Sequence, residues 1–527
     1  MHILTNAHIY TMDPRQPVLT SIALEDERIV AVGSREELAV LADSKTIWQD
    51  MCDQTILPGL IDSHMHLECY ALGLQKVDCE TPSLAGCLER VAQRAASTPS
   101  DSWILGHGWN QNLWEEGFGS IHDLEHIAPD RCVYLTAKSL HAGWASRRAL
   151  QAAGINENTA DPVGGIIQRD EDGSPTGILF ENAMKLLEDR IPKPKLCEVE
   201  KAIDNAQRNL WKYGITSVHD FDRRPCFVAL QSLHQAGRLK LRVVKSLHLE
   251  ELDAAIQLGL RTGFGDDYLR IGSVKLFADG ALGPQTAAML QPYENNPANL
   301  GVLLLNSEVI YEYGQKATQN GLSLAVHAIG DRANHEALNG YAKIRQFETR
   351  ENLPHLRHRI EHVQILDPQD IHRLAELNII ASVQPVHAPS DMYTADRFWG
   401  KRACLAYAFN TLLGSGAKLV FGSDSPVESP NPFLGLHAAT TRTRINGKPS
   451  DTGWFPQQRL NLDEALQGFT RIAAYASGQE DKLGCLSPGY WADLIVLPKD
   501  PFKIHPADLY SIEPSATMVG GEWVWEK

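Results

Sequence analysis

The fold is decided by a segment with the sequence EVEKAIDNAQRNLWKYGITSVHD, residues 198–220. Between residues 198 and 213 apolar side chains recur every three or four positions, which predicts an amphipathic helix. Gly214 is a typical residue for ending that helix, and the mainly apolar run over residues 215–220 predicts a strand directly after it. The segment therefore predicts a helix followed by a strand, with His219 and Asp220 at the end of the strand.

Five later apolar runs share this character, since each ends in a polar or ionisable residue. They are residues 271–275, 322–327, 359–362, 379–384 and 419–424. Repeated strand and helix units imply parallel strands, and this many units favour a closed barrel over an open sheet. Because barrel active sites lie at the carboxyl ends of the strands, the strand-end residues are candidate site residues.

The two ends of the chain do not show this alternation of strands and helices. Short alternating runs separated by turns fill residues 1–56 and recur in residues 481–527, which predicts one small β-sandwich built from both termini. The barrel is assigned to residues 57–480, with an inserted, tryptophan-rich cap at about residues 69–195. The predicted fold class is α/β: a (β/α)8 TIM barrel with a terminal β-sandwich and a cap. The cap tryptophans predict either an apolar substrate surface or a cap core.

Composition limits the classes of partner. The chain has 527 residues and a formal net charge of −16 without a clustered basic stripe, which argues against nucleic acid and favours a small-molecule substrate. We expect no secretion signal and no membrane span, because no basic start precedes an apolar run and no apolar stretch reaches about 20 residues. Nine scattered cysteines without a CxxC pair favour reduced thiols and a cytoplasmic location. A homodimer is the default assembly.

The strongest local signal is LPGLIDSHMH, residues 57–66. His64 and His66 stand two positions apart in a predicted strand, so they share a face and can reach one metal ion. Such a pair also occurs by chance or in structural roles. His327 and His362 end two further strands and could supply imidazoles to the same site, although each could equally be a core histidine.

Two more strand-end residues, Asp424 and Lys275, are candidates for the same site. Asp424 follows a strongly apolar strand, where a carboxylate needs either a cation or hydrogen-bond donors, as in a helix cap or an Asx turn. Lys275 places an amine in an apolar strand, and burial lowers lysine pKa. A neutral amine can react with carbon dioxide to form a carbamate that bridges two metal ions. A salt bridge from Lys275 to Asp279 is the alternative.

These residues together resemble the amidohydrolase superfamily, and more narrowly its amidohydrolase-3 branch, which includes YtcJ-like proteins and N-substituted formamide deformylases. The resemblance covers nearly the whole chain. The matching stretches are residues 57–66, 161–167, 175–181, 214–220, 274–283, 326–331, 359–362, 382–385, 422–427 and 488–494.

The resemblance implies a site with two divalent metal ions, for which imidazole and carboxylate ligands suit zinc. His64, His66 and Asp424 would hold one ion, His327 and His362 would hold the other, and carbamylated Lys275 would bridge them. The implied function is hydrolysis of a non-peptide C–N bond, in an amide or N-substituted formamide, by metal-activated hydroxide. Asp424 would accept a proton and pass it to the leaving amine.

Three further residues are predicted to contact the substrate or an oxyanion because they lie near strand ends or in the cap, namely His141, His219 and Gln384. Structural hydrogen bonding is the alternative for each. Two other functions remain open on the sequence. The same metal site could deaminate a heterocycle or open a lactone or ester, or the barrel could be catalytically silent and serve binding or regulation.

Overall fold

The computed structural model of the chain describes residues 1–111, 113–138, 141–294 and 296–527. The strands in these residues are, in chain order, β1 (His2–Thr5), β2 (His8–Tyr10), β3 (Val18–Leu19), β4 (Ser21–Glu25), β5 (Arg28–Gly33), β6 (Ile47–Asp50), β7 (Thr55–Pro58), β8 (Leu60–Met65), β9 (Val77–Asp78), β10 (Ile104–Trp109), β11 (Val133–Ala137), β12 (Ala142–Ala145), β13 (Gly165–Arg169), β14 (Pro175–Glu181), β15 (Ile215–Asp220), β16 (Arg242–His248), β17 (Leu269–Phe277), β18 (Leu324–Ala328), β19 (Arg359–His362), β20 (Ile380–Val383), β21 (Leu419–Phe421), β22 (Leu494–Leu497), β23 (Ala516–Val519) and β24 (Glu522–Glu526).

The α-helices in the same residues are α1 (Arg35–Ala39), α2 (Leu67–Gly73), α3 (Leu84–Ser97), α4 (Ile121–Ile127), α5 (Arg147–Ala153), α6 (Asn182–Glu188), α7 (Leu196–Lys212), α8 (Arg224–Gln235), α9 (Leu252–Gln257), α10 (Ser307–Gln319), α11 (Asp331–Arg350), α12 (Arg373–Glu376), α13 (His387–Trp399), α14 (Phe409–Gly414), α15 (Pro432–Thr441), α16 (Leu462–Phe469) and α17 (Arg471–Ala476). No helix in the described ranges is both long and apolar enough to span a lipid bilayer.

Eight parallel strands form the barrel sheet, in the order β21-β20-β19-β18-β17-β16-β15-β8. The helix α7 and the strand β15 occupy the segment from which the sequence predicted the repeating unit. Buried aliphatic and aromatic side chains from the strands and the surrounding helices make one continuous core. The predicted (β/α)8 barrel is confirmed.

The first and last barrel strands meet at a seam. The backbone N–H of Asp424 donates to the carbonyl oxygen of His64 at 2.7 Å, and the N–H of His66 donates to the carbonyl oxygen of Ser425 at 2.8 Å. Gly422 is required at this seam, because a Cβ there would lie only 2.5 Å from the backbone nitrogen of His64. The buried Asp62 carboxylate spans the same seam by accepting the backbone N–H groups of His64 and Ser423.

The two chain ends form the β-sandwich. One sheet has the order β5-β4-β1-β6, and the other has the order β24-β23-β22-β7-β2-β3. The strand β22 from the carboxyl-terminal end pairs antiparallel with β7 from the amino-terminal end, with Leu494 opposite Pro58. Apolar side chains of both sheets, such as Leu4 and Val496, share one core. This arrangement confirms the predicted sandwich from both termini.

The chain folds into two compact units, Met1–Tyr70 with Ile203–Lys527, and Ala71–Ala202. The second unit contains a mixed six-stranded sheet in the order β13-β14-β12-β11-β10-β9. Trp109, Trp114 and Trp144 are buried together in this unit, and each indole N–H donates to a backbone carbonyl oxygen within the unit. These three tryptophans therefore belong to the core of the unit.

A buried ion pair joins the barrel to the sandwich, and we expect its disruption to destabilise the protein. The Arg242 guanidinium donates to both carboxylate oxygens of Asp493 at 2.7 and 2.9 Å. Asp493→Ala would leave the buried guanidinium uncompensated, so urea denaturation should show a loss of about 3–5 kcal/mol. As a control, Glu522→Gln removes the exposed pair with Lys240 and should cost less than about 1 kcal/mol. Equal losses in the two variants would contradict this prediction.

Candidate metal site

The predicted ligands come together at the carboxyl ends of the barrel strands. His64 lies in β8 with His66 directly after it, and Lys275, His327 and His362 lie in β17, β18 and β19. Asp424 follows β21, beyond Gly422 and Ser423. Because β17, β18 and β19 are neighbours and the seam joins β21 to β8, residues far apart in sequence face one region.

The spacing of the first group fits a metal ion. The Oδ1 atom of Asp424 lies 3.4 Å from Nε2 of His64 and 3.5 Å from Nε2 of His66. Two ligands at about 2.1 Å from a tetrahedral ion are about 3.4 Å apart. Potential ligand atoms of all three residues lie within 4.8 Å of one another. These three side chains therefore fit a divalent ion.

The second group lies beside the first. The imidazole centroids of His327 and His362 are 4.6 Å apart, and those of His64 and His362 are 5.0 Å apart. A further compact group contains Asp424, His362 and His387. Their potential ligand atoms lie within 4.8 Å of one another. One carboxylate thus stands between the two sets of imidazoles.

Lys275 is buried and faces aromatic rings. Its Nζ lies 4.6 Å from the ring centroid of Phe221 and 5.1 Å from that of Phe277. Burial lowers the pKa of this amine to about 8. Asp279, the alternative salt-bridge partner, instead accepts backbone N–H groups from the 288 and 329–330 segments at 2.8–3.0 Å. Within the described residues, no carboxylate forms a salt bridge with Lys275.

The electrostatics of the site favour cations near its carboxylates. Burial alone would lower the pKa of His66, but the carboxylates of Asp222 and Asp424 raise it to about 9. Burial also disfavours the charged form of Asp424, yet contact with His66 and the charge of His64 hold its pKa well below the usual value. Burial, together with the charge of Lys275, lowers the pKa of His64 to about 4. The negative potential that favours a proton on His66 also favours a metal ion.

Each predicted histidine ligand has one ring nitrogen held by another group. Nδ1 of His64 contacts Oε2 of Glu361 at 2.5 Å, and Nδ1 of His66 lies 3.3 Å from Oδ1 of Asp222. His327 donates from Nε2 to the Gly280 carbonyl oxygen at 2.9 Å. His362 donates from Nδ1 to Oε1 of Gln384 at 2.8 Å. A support of this kind on one nitrogen is usual for histidines whose other nitrogen binds a metal ion.

A buried arginine anchors this arrangement. Arg359 donates to both oxygens of Glu361, to the Ser63 carbonyl oxygen and to Oγ of Ser382. Its Nη1 also donates to Nδ1 of His219 at 2.9 Å. The Arg359 charge therefore compensates the Glu361 carboxylate, which in turn orients His64.

The three predicted substrate contacts lie in different surroundings. His219 is buried in the barrel beside Arg359, and its Nε2 has no hydrogen-bond partner in the described part of the chain. Gln384 is buried and supports His362 through Oε1, while no described residue is a partner of its Nε2. His141 belongs to the unit Ala71–Ala202, where it is exposed and pairs with Glu181.

Sequence reasoning missed Glu361, Asp222, Arg359 and His387. Glu361 directly precedes His362, and His387 lies three residues after Gln384, so proximity to a predicted ligand was the available signal. Their roles depend on partners from other strands, which the spacing along the chain does not show.

Comparisons with known proteins show the family to which the chain belongs. A sequence model of the Amidohydrolase family matches residues 49–525. The chain is 33% identical to YtcJ of Bacillus subtilis (strain 168), with 98% of each chain covered. It is 25% identical to the N-substituted formamide deformylase of Arthrobacter pascens, covering 100% of this chain and 98% of that protein.

A solved structure is also similar. An uncharacterized metal-dependent hydrolase from Pyrococcus furiosus matches with a TM-score of 0.79 and 30% identity, covering 95% of this chain and 100% of that one. The chain therefore belongs to the amidohydrolase family, as the sequence resemblance predicted. It is a metal-dependent hydrolase of that superfamily.

The contact between Glu361 and His64 leads to a prediction about metal affinity. Glu361→Gln should weaken Zn²⁺ binding about 10-fold to 100-fold, because His64 loses the carboxylate that orients it. Competition with a chromogenic chelator measures this affinity.

A matched control is Glu348→Gln. Glu348 is also fully buried between an arginine and a histidine, Arg345 and His358, but both partners lie outside the metal site. The control should disturb stability while leaving Zn²⁺ affinity unchanged. Equal Zn²⁺ affinity in parent and Glu361→Gln would refute the orienting role.

Proposed function

We propose that the protein hydrolyses the C–N bond of N-acyl or N-formyl amines at a site for two zinc ions. The proposal is carried by the convergence of His64, His66 and Asp424 at the spacing of metal ligands. In the proposed assignment these three residues hold one ion, and His327 and His362 hold the other. Imidazole and carboxylate donors suit zinc.

Lys275 is proposed to bridge the two ions as a carbamate. Its burial and the lack of a salt bridge within the described residues support this assignment, because a neutral amine can add to carbon dioxide. The amine nitrogen forms a bond to carbon, and the proton that it loses leaves with solvent. The product is an anion with two oxygen atoms, which suits a position between two cations.

The reaction follows from the positions of these residues. Divalent ions in the site would lower the pKa of a water molecule and polarise the carbonyl group of the substrate. Asp424, which lies between the two groups of imidazoles, accepts the proton of that water at a carboxylate oxygen. Asp424 then gives the proton to the leaving nitrogen, so that an amine departs instead of an amide anion.

The substrate class is supported by a relative. The protein from Arthrobacter pascens that is similar over the whole length is an N-substituted formamide deformylase. We extend formamide or amide cleavage to this chain on that similarity and on the candidate metal ligands. We also propose a cytoplasmic location, supported by nine cysteines that are all free thiols.

Activity should depend on Asp424. Zinc-loaded protein is expected to release amine from a panel of N-formyl and N-acetyl primary amines, and Asp424→Asn should lower kcat by about 10²-fold to 10⁴-fold. Amine release is followed with an amine-reactive dye, and bound metal is counted by elemental analysis. Asp370→Asn is a matched control, because Asp370 is also buried but pairs with Arg373 and His335 outside the site.

Other outcomes would redirect the assignment. Turnover of lactones, esters or amino-substituted heterocycles in place of the amides would select one of those activities on the same site. A folded, zinc-supplemented protein that binds little metal would contradict the hydrolase proposal and favour a binding role.

The carbamate can be tested directly. Protein prepared with ¹³C-bicarbonate and zinc should show a carbamate carbon signal by NMR, and Lys275→Ala should lack that signal and bind fewer zinc ions. Lys245→Ala is the matched control, because Lys245 is also buried but forms a salt bridge with Asp220 at 2.8 Å. A carbamate signal that persists in Lys275→Ala would overturn the assignment.

A further inference from the structure

His387 is a buried histidine beside the candidate ligands, and both of its ring nitrogens lack a partner among the described residues. It begins α13, three residues after Gln384, and only 6% of it is exposed. Neither Nδ1 nor Nε2 makes a hydrogen bond with any residue that the structure describes. A buried polar group without a partner costs free energy, so such a group in a native protein indicates a ligand or a bound water.

His387 lies close to two of the predicted metal ligands. Its potential ligand atoms lie within 4.8 Å of those of His362 and Asp424. The His387 ring is nearly parallel to that of His362, at an angle of 8° and a centroid separation of 6.4 Å. A group bound next to Asp424 would therefore be close to the imidazole of His387.

His387 differs from the four histidines that are predicted as metal ligands. Each of those rings has one nitrogen held by a protein group: Glu361, Asp222, the Gly280 carbonyl or Gln384. Histidines that bind metal nearly always have such a support. Because His387 has none, its ring is suited to contacting a substrate.

We propose that His387 donates a hydrogen bond to the acyl oxygen of the substrate. This inference rests on the proposed hydrolysis of N-acyl or N-formyl amines. The bond would strengthen as negative charge develops on that oxygen, so it would stabilise the transition state more than the bound substrate. Gln384, three residues before His387, offers a second donor, because its Oε1 accepts from His362 while its buried Nε2 has no partner within the described ranges.

The test uses the full-length protein loaded with zinc and bicarbonate. His387→Ala removes the donor, and His387→Gln keeps an N–H donor. His362→Ala serves as a reference for the loss of a metal ligand. His437→Gln is the matched control, since His437 is also buried with an unpartnered Nδ1 but lies in α15 and contacts Thr443. Bound zinc is counted, formate binding is measured by calorimetry, and kcat and KM are measured with the N-formyl amines.

We expect His387→Ala to retain the zinc content of the parent and to lower kcat about 100-fold or more, with a smaller change in KM. Its affinity for formate, whose oxygens resemble the acyl oxygen, should fall at least about 10-fold. His387→Gln should recover part of both losses, and His437→Gln should match the parent.

Several results would overturn the proposal. Loss of zinc in His387→Ala, as in His362→Ala, would make His387 a metal ligand. Unchanged formate affinity, or a parent that does not bind formate, would exclude an acyl-oxygen contact. Thermal unfolding of both His387 variants at a lowered temperature, with His437→Gln intact, would assign His387 a structural role.

Failure of the hydrolase proposal gives a different pattern. In that case the zinc-loaded parent would hydrolyse no amide of the panel, but formate binding would still depend on His387. The two proposals can therefore fail separately.

Discussion

The candidate site depends on the seam between the first and last barrel strands. Two backbone hydrogen bonds, from Asp424 to His64 and from His66 to Ser425, bring the two histidines to Asp424. Gly422 permits this approach because a side chain there would collide with His64. Without the seam, candidate ligands separated by about 360 positions would not come together.

Burying so many ionisable groups requires compensation. The Glu361 carboxylate is fully buried, and Arg359 balances its charge while Glu361 orients His64. A parallel arrangement serves His66, because Asp222 lies against its ring and buried Lys245 interacts favourably with Asp222. An unpaired charge would be costly in the barrel interior, so these interactions stabilise it. The same contacts also orient the rings of His64 and His66.

Side chains of the same residue type differ in their partners around the site. The four supported histidines each have one nitrogen held by another group, whereas neither nitrogen of His387 is held by a described residue. Lys275 and Lys245 differ in the same way, since Lys245 pairs with Asp220 and Lys275 faces the rings of Phe221 and Phe277. Buried residues of one type therefore have different chemistry according to their partners.

The sequence alone determined the barrel, the sandwich of both termini and the six strand-end residues predicted as ligands, because period and strand-end position are local properties. It could not assign Glu361, Asp222 or His387, and it left open whether Lys275 pairs with Asp279. Tertiary structure decided these points, because hydrogen-bond partners and burial come from strands distant in sequence. The packing around Lys275 and His387, and not their residue type, leaves both without a salt bridge or hydrogen bond within the described residues.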